Sequence, residues 1–217
     1  MRNDPLRTTV LSVKLIPNVD LDMAKKLNIE VGHRSIGIIT TDCDDVGYTA
    51  LDDATKKADV KVAYAKSFYG GAANANTKLA GEFIGILSGP NPAEVRSGLN
   101  AVIDFIENEA CFYSANDEDS IVYYAHCVSR TGSYLSEVAG IKEGEALAYL
   151  IAPPIEAMYA LDAALKAADV KMAEFFGPPS ETNFGGGLLT GSQSACKAAC
   201  EAFADAVKFV ADNPIKY

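Results

Sequence analysis

ALDDATKKADVKVA at residues 50–63 and ALDAALKAADVKMA at residues 160–173 agree at ten of fourteen positions, at a constant offset of 110. Asp52, Lys56, Asp59 and Lys61 of the first stretch recur as Asp162, Lys166, Asp169 and Lys171 of the second. Composition alone gives roughly one identity in ten, so the chain reads as a tandem duplication. A weaker echo, NAVIDFIEN at 100–108 against DAVKFVADN at 205–213, has an offset of 105 and implies a loop five residues shorter in the second copy. The two halves are expected at 1–113 and 114–217, each large enough to bury its own core.

Periodicity makes each half a mixture of strands and helices. In the first, residues 8–15, 35–40, 60–68 and 81–87 read as strands, with a short helix at 20–27 opened by Asp20 and another at 46–57. Asn91 is a natural cap for the helix that follows, with Pro92 in its first turn and Glu94 three residues after the cap. Val95, Leu99, Val102, Ile103 and Ile106 fall on one face of that helix. The second half repeats the order, with strands near 121–128, 146–152, 169–176 and 185–190 and helices near 133–139, 155–167 and 193–211. The fold class is α+β, with a small sheet in each half covered by two helices in the ferredoxin-like manner.

Composition narrows the function classes. The net charge of -10 repels nucleic-acid backbones and anionic membranes. No apolar run reaches the roughly 18 residues needed to span a bilayer, and the first ten residues lack the apolar core of a signal peptide, so a cytoplasmic protein is expected. His33 and His126 form no metal-ligand spacing, and no Walker loop, GxSxG or GxGxxG is present. Cys196 and Cys200 share a helical face and read as packed small hydrophobes, with a zinc site left open. No metal, cofactor or catalytic residue is assigned, and the chain is expected not to be an enzyme.

Three features remain. Lys56 and Lys166 read ordinarily as solvated charges. The loops at 67–78 and 176–187 are rich in Gly, Asn and Pro and long for hairpin connections. Asp42, Asp44 and Asp45 precede a helix, with Glu82 on a neighbouring strand, and carboxylates favour a helix N-terminus without further purpose.

The stretch PIEAMYALDAALKAADVKMAEFF (154–176) and the helix SACKAACEAFADAV (194–207) resemble the bacterial microcompartment shell domain, through the D-A-x-x-K-A-A-x-V pattern carried by Asp162, Ala163, Lys166, Ala167, Ala168 and Val170. The first copy keeps Asp52, Lys56, Ala58 and Val60 of that pattern, with Lys57 in place of an alanine. Two such domains, each entered by an extra strand and short helix, resemble the tandem circularly permuted class from ethanolamine-utilising microcompartments.

The resemblance implies a structural tile, localised to the microcompartment shell, that associates with other shell proteins. It implies a homotrimer shaped as a pseudohexamer, tiling into sheets through Lys56 and Lys166. The pore loops would be Tyr69, Gly70, Gly71, Phe184, Gly185 and Gly186, gating a central pore. A small pore in the cleft between the two domains would bind ethanolamine through Asp45, Glu82, Phe112 and Thr182, while cobalamin stays an open candidate for the small molecules handled. The alternative is a soluble small-molecule-binding regulatory protein of ferredoxin-like fold.

Overall fold

A computed structural model describes residues 1–68 and 79–215, which carry ten strands and six helices. The chain divides into two compact units. The first module is Thr8–Ala110 with Gly132–Leu135; the second is Met1–Arg7, Cys111–Thr131 and the chain from Ser136 onward. The division is therefore not the simple cut expected after residue 113. The N-terminal residues belong with the second module because β1 (Pro5–Leu6) pairs antiparallel with β6 (Phe112–Ser114). Both strands are too short to show a pattern in sequence.

In the first module β2 (Val10–Ile16), β3 (Ser35–Thr41), β4 (Lys61–Ser67) and β5 (Phe83–Gly89) form an antiparallel sheet of order β2-β3-β5-β4. Helices α2 (Asp44–Lys57) and α3 (Pro92–Asn108) lie on one face. They approach closely because Gly37 and Gly85 carry no side chain: a Cβ at Gly37 would strike Leu99 and Val95, and one at Gly85 would strike Leu51. The other face packs Ile36, Ile38 and Ile86 against Val19, Ala24, Leu27 and Ile29, around α1 (Leu21–Lys26). Asn91 caps α3 as expected, its Oδ1 accepting from the Ala93 and Glu94 amides at 2.9 and 3.0 Å. Glu94 does not close a reciprocal box; its carboxylate accepts instead from the Asp59 amide at 2.8 Å and ties the start of α3 to the end of α2.

The second module has the sheet order β1-β6-β7-β8-β10-β9, with β7 (Val122–Val128), β8 (Ala146–Ala152), β9 (Val170–Phe176) and β10 (Gly185–Gly191). Helices α5 (Pro154–Ala167) and α6 (Gln193–Asp212) bury Leu161, Phe203 and Val207 against Ala148, Leu150 and Leu189. The short α4 (Ser133–Ala139) precedes β8.

The structure corrects the alignment of the last helix. First residues of matched elements differ by 112 for β2 and β7, 110 for α2 and α5, 109 for β4 and β9, 102 for β5 and β10, and 101 for α3 and α6. Strand pairing holds β4 and β9 at the offset of 110, with Lys61 opposite Ser88 and Lys171 opposite the matching Thr190, so the loop before β10 is shorter by eight residues as the offset falls to 102, and the echo at offset 105 lies four residues off at the helix start. Four residues are close to one turn, so the slipped alignment keeps the same apolar face and the pattern cannot reveal it.

Candidate functional site

The acidic residues converge where β3 gives way to α2 in the first module. Thr41 ends β3, its Oγ1 donating to the Cys43 carbonyl at 2.6 Å, and its own carbonyl accepts from the Glu82 amide at 2.9 Å. That backbone bond brings Glu82 beside the start of α2. Asp42 accepts from the Thr9 amide at 2.7 Å, and Asp44 from the Asp45 amide at 2.9 Å, so Asp44 does satisfy one spare amide of the first turn. Asp44 and Asp45 are both buried.

Electrostatics show what this gathering costs. Burial raises the Asp44 carboxyl above its ordinary value, and it raises Glu82 as well, with the charges of Asp44 and then Asp42 adding to the effect. The Cys43 thiol is pushed far up by burial and next by the charges on Asp45 and Asp44. Helix-start electrostatics alone does not need this arrangement, because the second module opens α5 without it. Pro154 and Ile155 replace Asp44 and Asp45 there, and Phe184 replaces Glu82 before β10.

The carboxylates have aromatic neighbours that the sequence did not single out. Tyr48, one turn into α2, meets Phe83 edge-on at 4.9 Å and stacks on Tyr134 at 6.3 Å. Its hydroxyl lies 2.6 Å from the Ser67 Oγ, and burial pushes the phenol up to about 12. The spacing of Tyr48 from Asp44 and Asp45 was the available signal. Tyr134 comes from a segment 86 residues away and left none. Buried carboxylates whose charge reaches the Tyr48 phenol, as those of Asp44 and Asp45 do, suit a compact organic cation.

The other two expected ligand residues, Phe112 and Thr182, lie in the second module. Phe112 is buried, stacked on Tyr124 at 5.3 Å and tilted against Phe184 at 6.2 Å. Thr182 sits in the turn leading to Phe184, its amide donating to the Ser180 Oγ at 3.3 Å, while the Ser180 amide donates to the Phe184 carbonyl at 2.8 Å. In the first module Glu82 thus stands within reach of the charges of Asp44 and Asp42, and in the second Phe112 lies against Phe184 at the end of the loop that carries Thr182.

Of the expected pore-loop residues, Tyr69, Gly70 and Gly71 lie outside the described residues. Phe184 ends the connection from β9, whereas Gly185 and Gly186 belong to β10 and pair with Ala152 and Ile151. Placing these two glycines in a loop is corrected by that pairing. Their value is close backbone approach, since a Cβ on Gly186 would overlap the Leu150 carbonyl oxygen.

The two expected edge lysines differ. Lys166 is 74% exposed and pairs with Asp162 at 2.6 Å. Lys56 is half-buried between Asp53 at 3.1 Å and Asp52 at 3.7 Å. Cys196 and Cys200 are buried in the second core and their thiols are raised by burial, as expected of packed side chains. No helix among the described residues is long and apolar enough to cross a membrane.

Comparison with known proteins gives a consistent set of likenesses. The model of the BMC domain matches residues 35–116. The bacterial microcompartment shell protein EutL of Clostridium perfringens is 71% identical over 217 residues, spanning 100% of both chains. Its namesake in Escherichia coli is 54% identical over 213 residues, spanning 98% of this chain and 97% of the relative. Among solved structures, the ethanolamine utilization protein EutL from Leptotrichia buccalis superposes with a TM-score of 0.99 at 77% identity, covering 100% of each chain. The trimeric microcompartment shell protein PduB shares the fold alone, at a TM-score of 0.77 and 20% identity over 94% of this chain and 89% of that one.

Proposed function

This chain belongs to the EutL family of bacterial microcompartment shell proteins, and we propose on that footing that three copies close into a six-module ring that gates and samples small molecules. Its role is structural: it is a wall component of the microcompartment that houses ethanolamine utilisation. A wall of this kind selects by pore width and lining polarity, and bond-breaking groups have no part in that task.

The cationic substrate class is ethanolamine, with Asp45 and Glu82 of the first module as its candidate carboxylates, and Phe112 and Thr182 kept as candidates on the resemblance alone. The observation that carries this reading is the acid cluster at the start of α2, present in one copy of the duplication and replaced by Pro154, Ile155 and Phe184 in the other. Two copies of one fold share the same structural needs, so a costly gathering of buried carboxylates in only one of them points to a ligand. One site per chain follows, three per ring. An ammonium group there relieves carboxylate repulsion, and its differential affinity for two pore states would bias the gate.

Ring formation is in keeping with the fold shared with PduB, a trimeric shell protein. Lys166, exposed on α5, suits a flat and reversible contact between neighbouring rings, its aliphatic stem packing while the ammonium stays wet. Other shell proteins are the expected neighbours. Isothermal calorimetry with ethanolamine tests the site: wild type binds with one ligand per chain, and Asp45→Ala and Glu82→Gln weaken binding. Unchanged affinity in both variants removes the acid cluster from the ligand site, and turnover of ethanolamine or acetaldehyde by the purified protein would end the reading as a passive wall.

A further inference from the structure

One end of the sheet is sealed in the first module and open in the second. In the first, beside the start of α3, carboxylates of the chain itself meet the local donors. The Asp59 amide donates to Glu94 Oε2 at 2.8 Å, and the Lys61 ammonium pairs with Glu30 at 2.8 Å. Pro92 leaves the first helical position without an N–H, and Asn91 accepts from the next two amides. His33 closes the corner, its Nδ1 lying 3.0 Å from the Ser88 Oγ.

The second module keeps the donors and loses every one of these partners. Asp169 and Lys171 match Asp59 and Lys61 at the offset of 110. At the helix offset of 101, however, Ala195 stands for Glu94 and Gln193 for Pro92, which adds an amide where the proline had none. At the offset of 111 set by β3 and β8, Ile141 and Gly144 stand for Glu30 and His33. Ser192 accepts from the Ala195 amide alone. The Asp169 amide, the Gln193 amide and the Lys171 ammonium have no acceptor among the described residues. Where the first module is filled by His33 and Glu30, the second holds a cavity of about 580 Å³, lined by Asp169, Lys171 and Gln193 with Ser129, Glu145 and Thr190.

We propose that this cavity binds a small zwitterion of the α-amino-acid pattern, its carboxylate taking the place that Glu94 fills in the first module. The sister module shows which group the frame accepts there, since a carboxylate oxygen already sits on the matching Asp59 amide. A ligand carboxylate gains charge-assisted hydrogen bonds from that amide position, from the Gln193 amide at the start of α6 and from the Lys171 ammonium. The rest of the lining selects the other half of the ligand. Asp169 and Glu145 bring carboxylates, and the Lys142 amide engages only one oxygen of Glu145, at 3.3 Å. The Thr190 hydroxyl donates to the Ala146 carbonyl at 3.1 Å, which leaves its lone pairs to accept. Acceptors of this kind repel a bare anion and welcome an ammonium group. A molecule carrying both charges meets both halves, and the volume lies within the usual range for small-molecule sites. Ethanolamine has the ammonium and lacks the carboxylate, so this site and the acid cluster of α2 choose different molecules.

L-serine is ethanolamine with a carboxylate added, which makes the two a matched pair of probes. In amide nuclear magnetic resonance spectra of the full-length chain, L-serine is expected to shift the Asp169 and Gln193 signals and ethanolamine to leave them in place. Lys171 is exposed on the edge strand β9, so Lys171→Gln spares the core, and it is expected to weaken L-serine binding about tenfold, the scale of one charge-assisted hydrogen bond. Ala195→Glu gives the second module the carboxylate that its twin owns, and it is expected to abolish the L-serine response. Signals that ignore L-serine, or that move equally with ethanolamine, overturn the proposal. Wild-type L-serine affinity in Lys171→Gln overturns it as well, whatever Ala195→Glu does to the fold.

Discussion

Asp52 and Gly132 are 80 residues apart in the chain and 2.7 Å apart in the fold, the Asp52 Oδ2 accepting the Gly132 amide hydrogen. The second oxygen of the same carboxylate accepts from Leu135 at 2.8 Å, so one fully buried side chain supplies the cap that the start of α4 lacks. Gly132 is required on its own account: a Cβ there would overlap the Thr55 hydroxyl and the Asp52 carbonyl.

Replacing Asp52 by asparagine keeps the shape but turns one acceptor into a donor facing an amide hydrogen. The buried amide left without an acceptor is expected to cost about 1–3 kcal/mol. Chemical denaturation of Asp52→Asn should show a lower midpoint at unchanged slope, whereas Asp162→Asn, on an exposed side chain, should leave the monomer fold within about 0.5 kcal/mol of wild type. Equal losses in both would argue that Asp52 has no special role.

Acidification should move stability and ligand affinity in opposite directions. Asp44 and Glu82 are raised, chiefly by burial, so the folded chain binds their protons more tightly than the unfolded chain does. Their contribution to stability is therefore fully present below the ordinary carboxylate values and is lost as pH rises through the raised ones. An ammonium ligand needs the deprotonated forms, so its affinity rises over the same interval just above the ordinary carboxylate range. Calorimetry across that interval should show proton release on binding, and Glu82→Gln should shrink it. A pH-independent affinity would contradict the assignment.

Lys166→Asp is expected to leave the ring mass unchanged and abolish ordered sheets in electron micrographs. Its pair with Asp162 is solvent-exposed and worth less than about 1 kcal/mol to the fold. Lys56→Ala should behave differently, lowering the unfolding midpoint because buried Asp52 and Asp53 lose a counter-charge. Normal sheets from Lys166→Asp would remove that lysine from the edge.

Gly186→Ala should weaken the pairing of β10 with β8. The added methyl points into the Leu150 carbonyl oxygen, at a φ of 158° that leaves the backbone no easy retreat. A loss of roughly 1–3 kcal/mol is the scale expected for overpacking a filled site. A thermal midpoint equal to wild type would show that the strand pair yields more readily than its geometry suggests.

Much of this molecule is written locally. The repeat around Asp52 and Asp162, the periods of two and of 3.6, and the cap at Asn91 place the main strands and helices of both modules, because each depends on residues within a turn or a strand of one another. The same local reasoning reached Asp45 and Glu82 as ligand candidates only with help from family likeness, and it passed over Tyr48. The pairing of β1 with β6, the service of Asp52 to α4, the arrival of Tyr134 over Tyr48 and the one-turn slip between α3 and α6 were decided by tertiary structure alone. Those features join residues far apart in the chain, or differ by a full helical turn. Neither leaves a trace in periodicity, since a hydrogen bond across 80 residues and a shift of four along one face both preserve every local pattern.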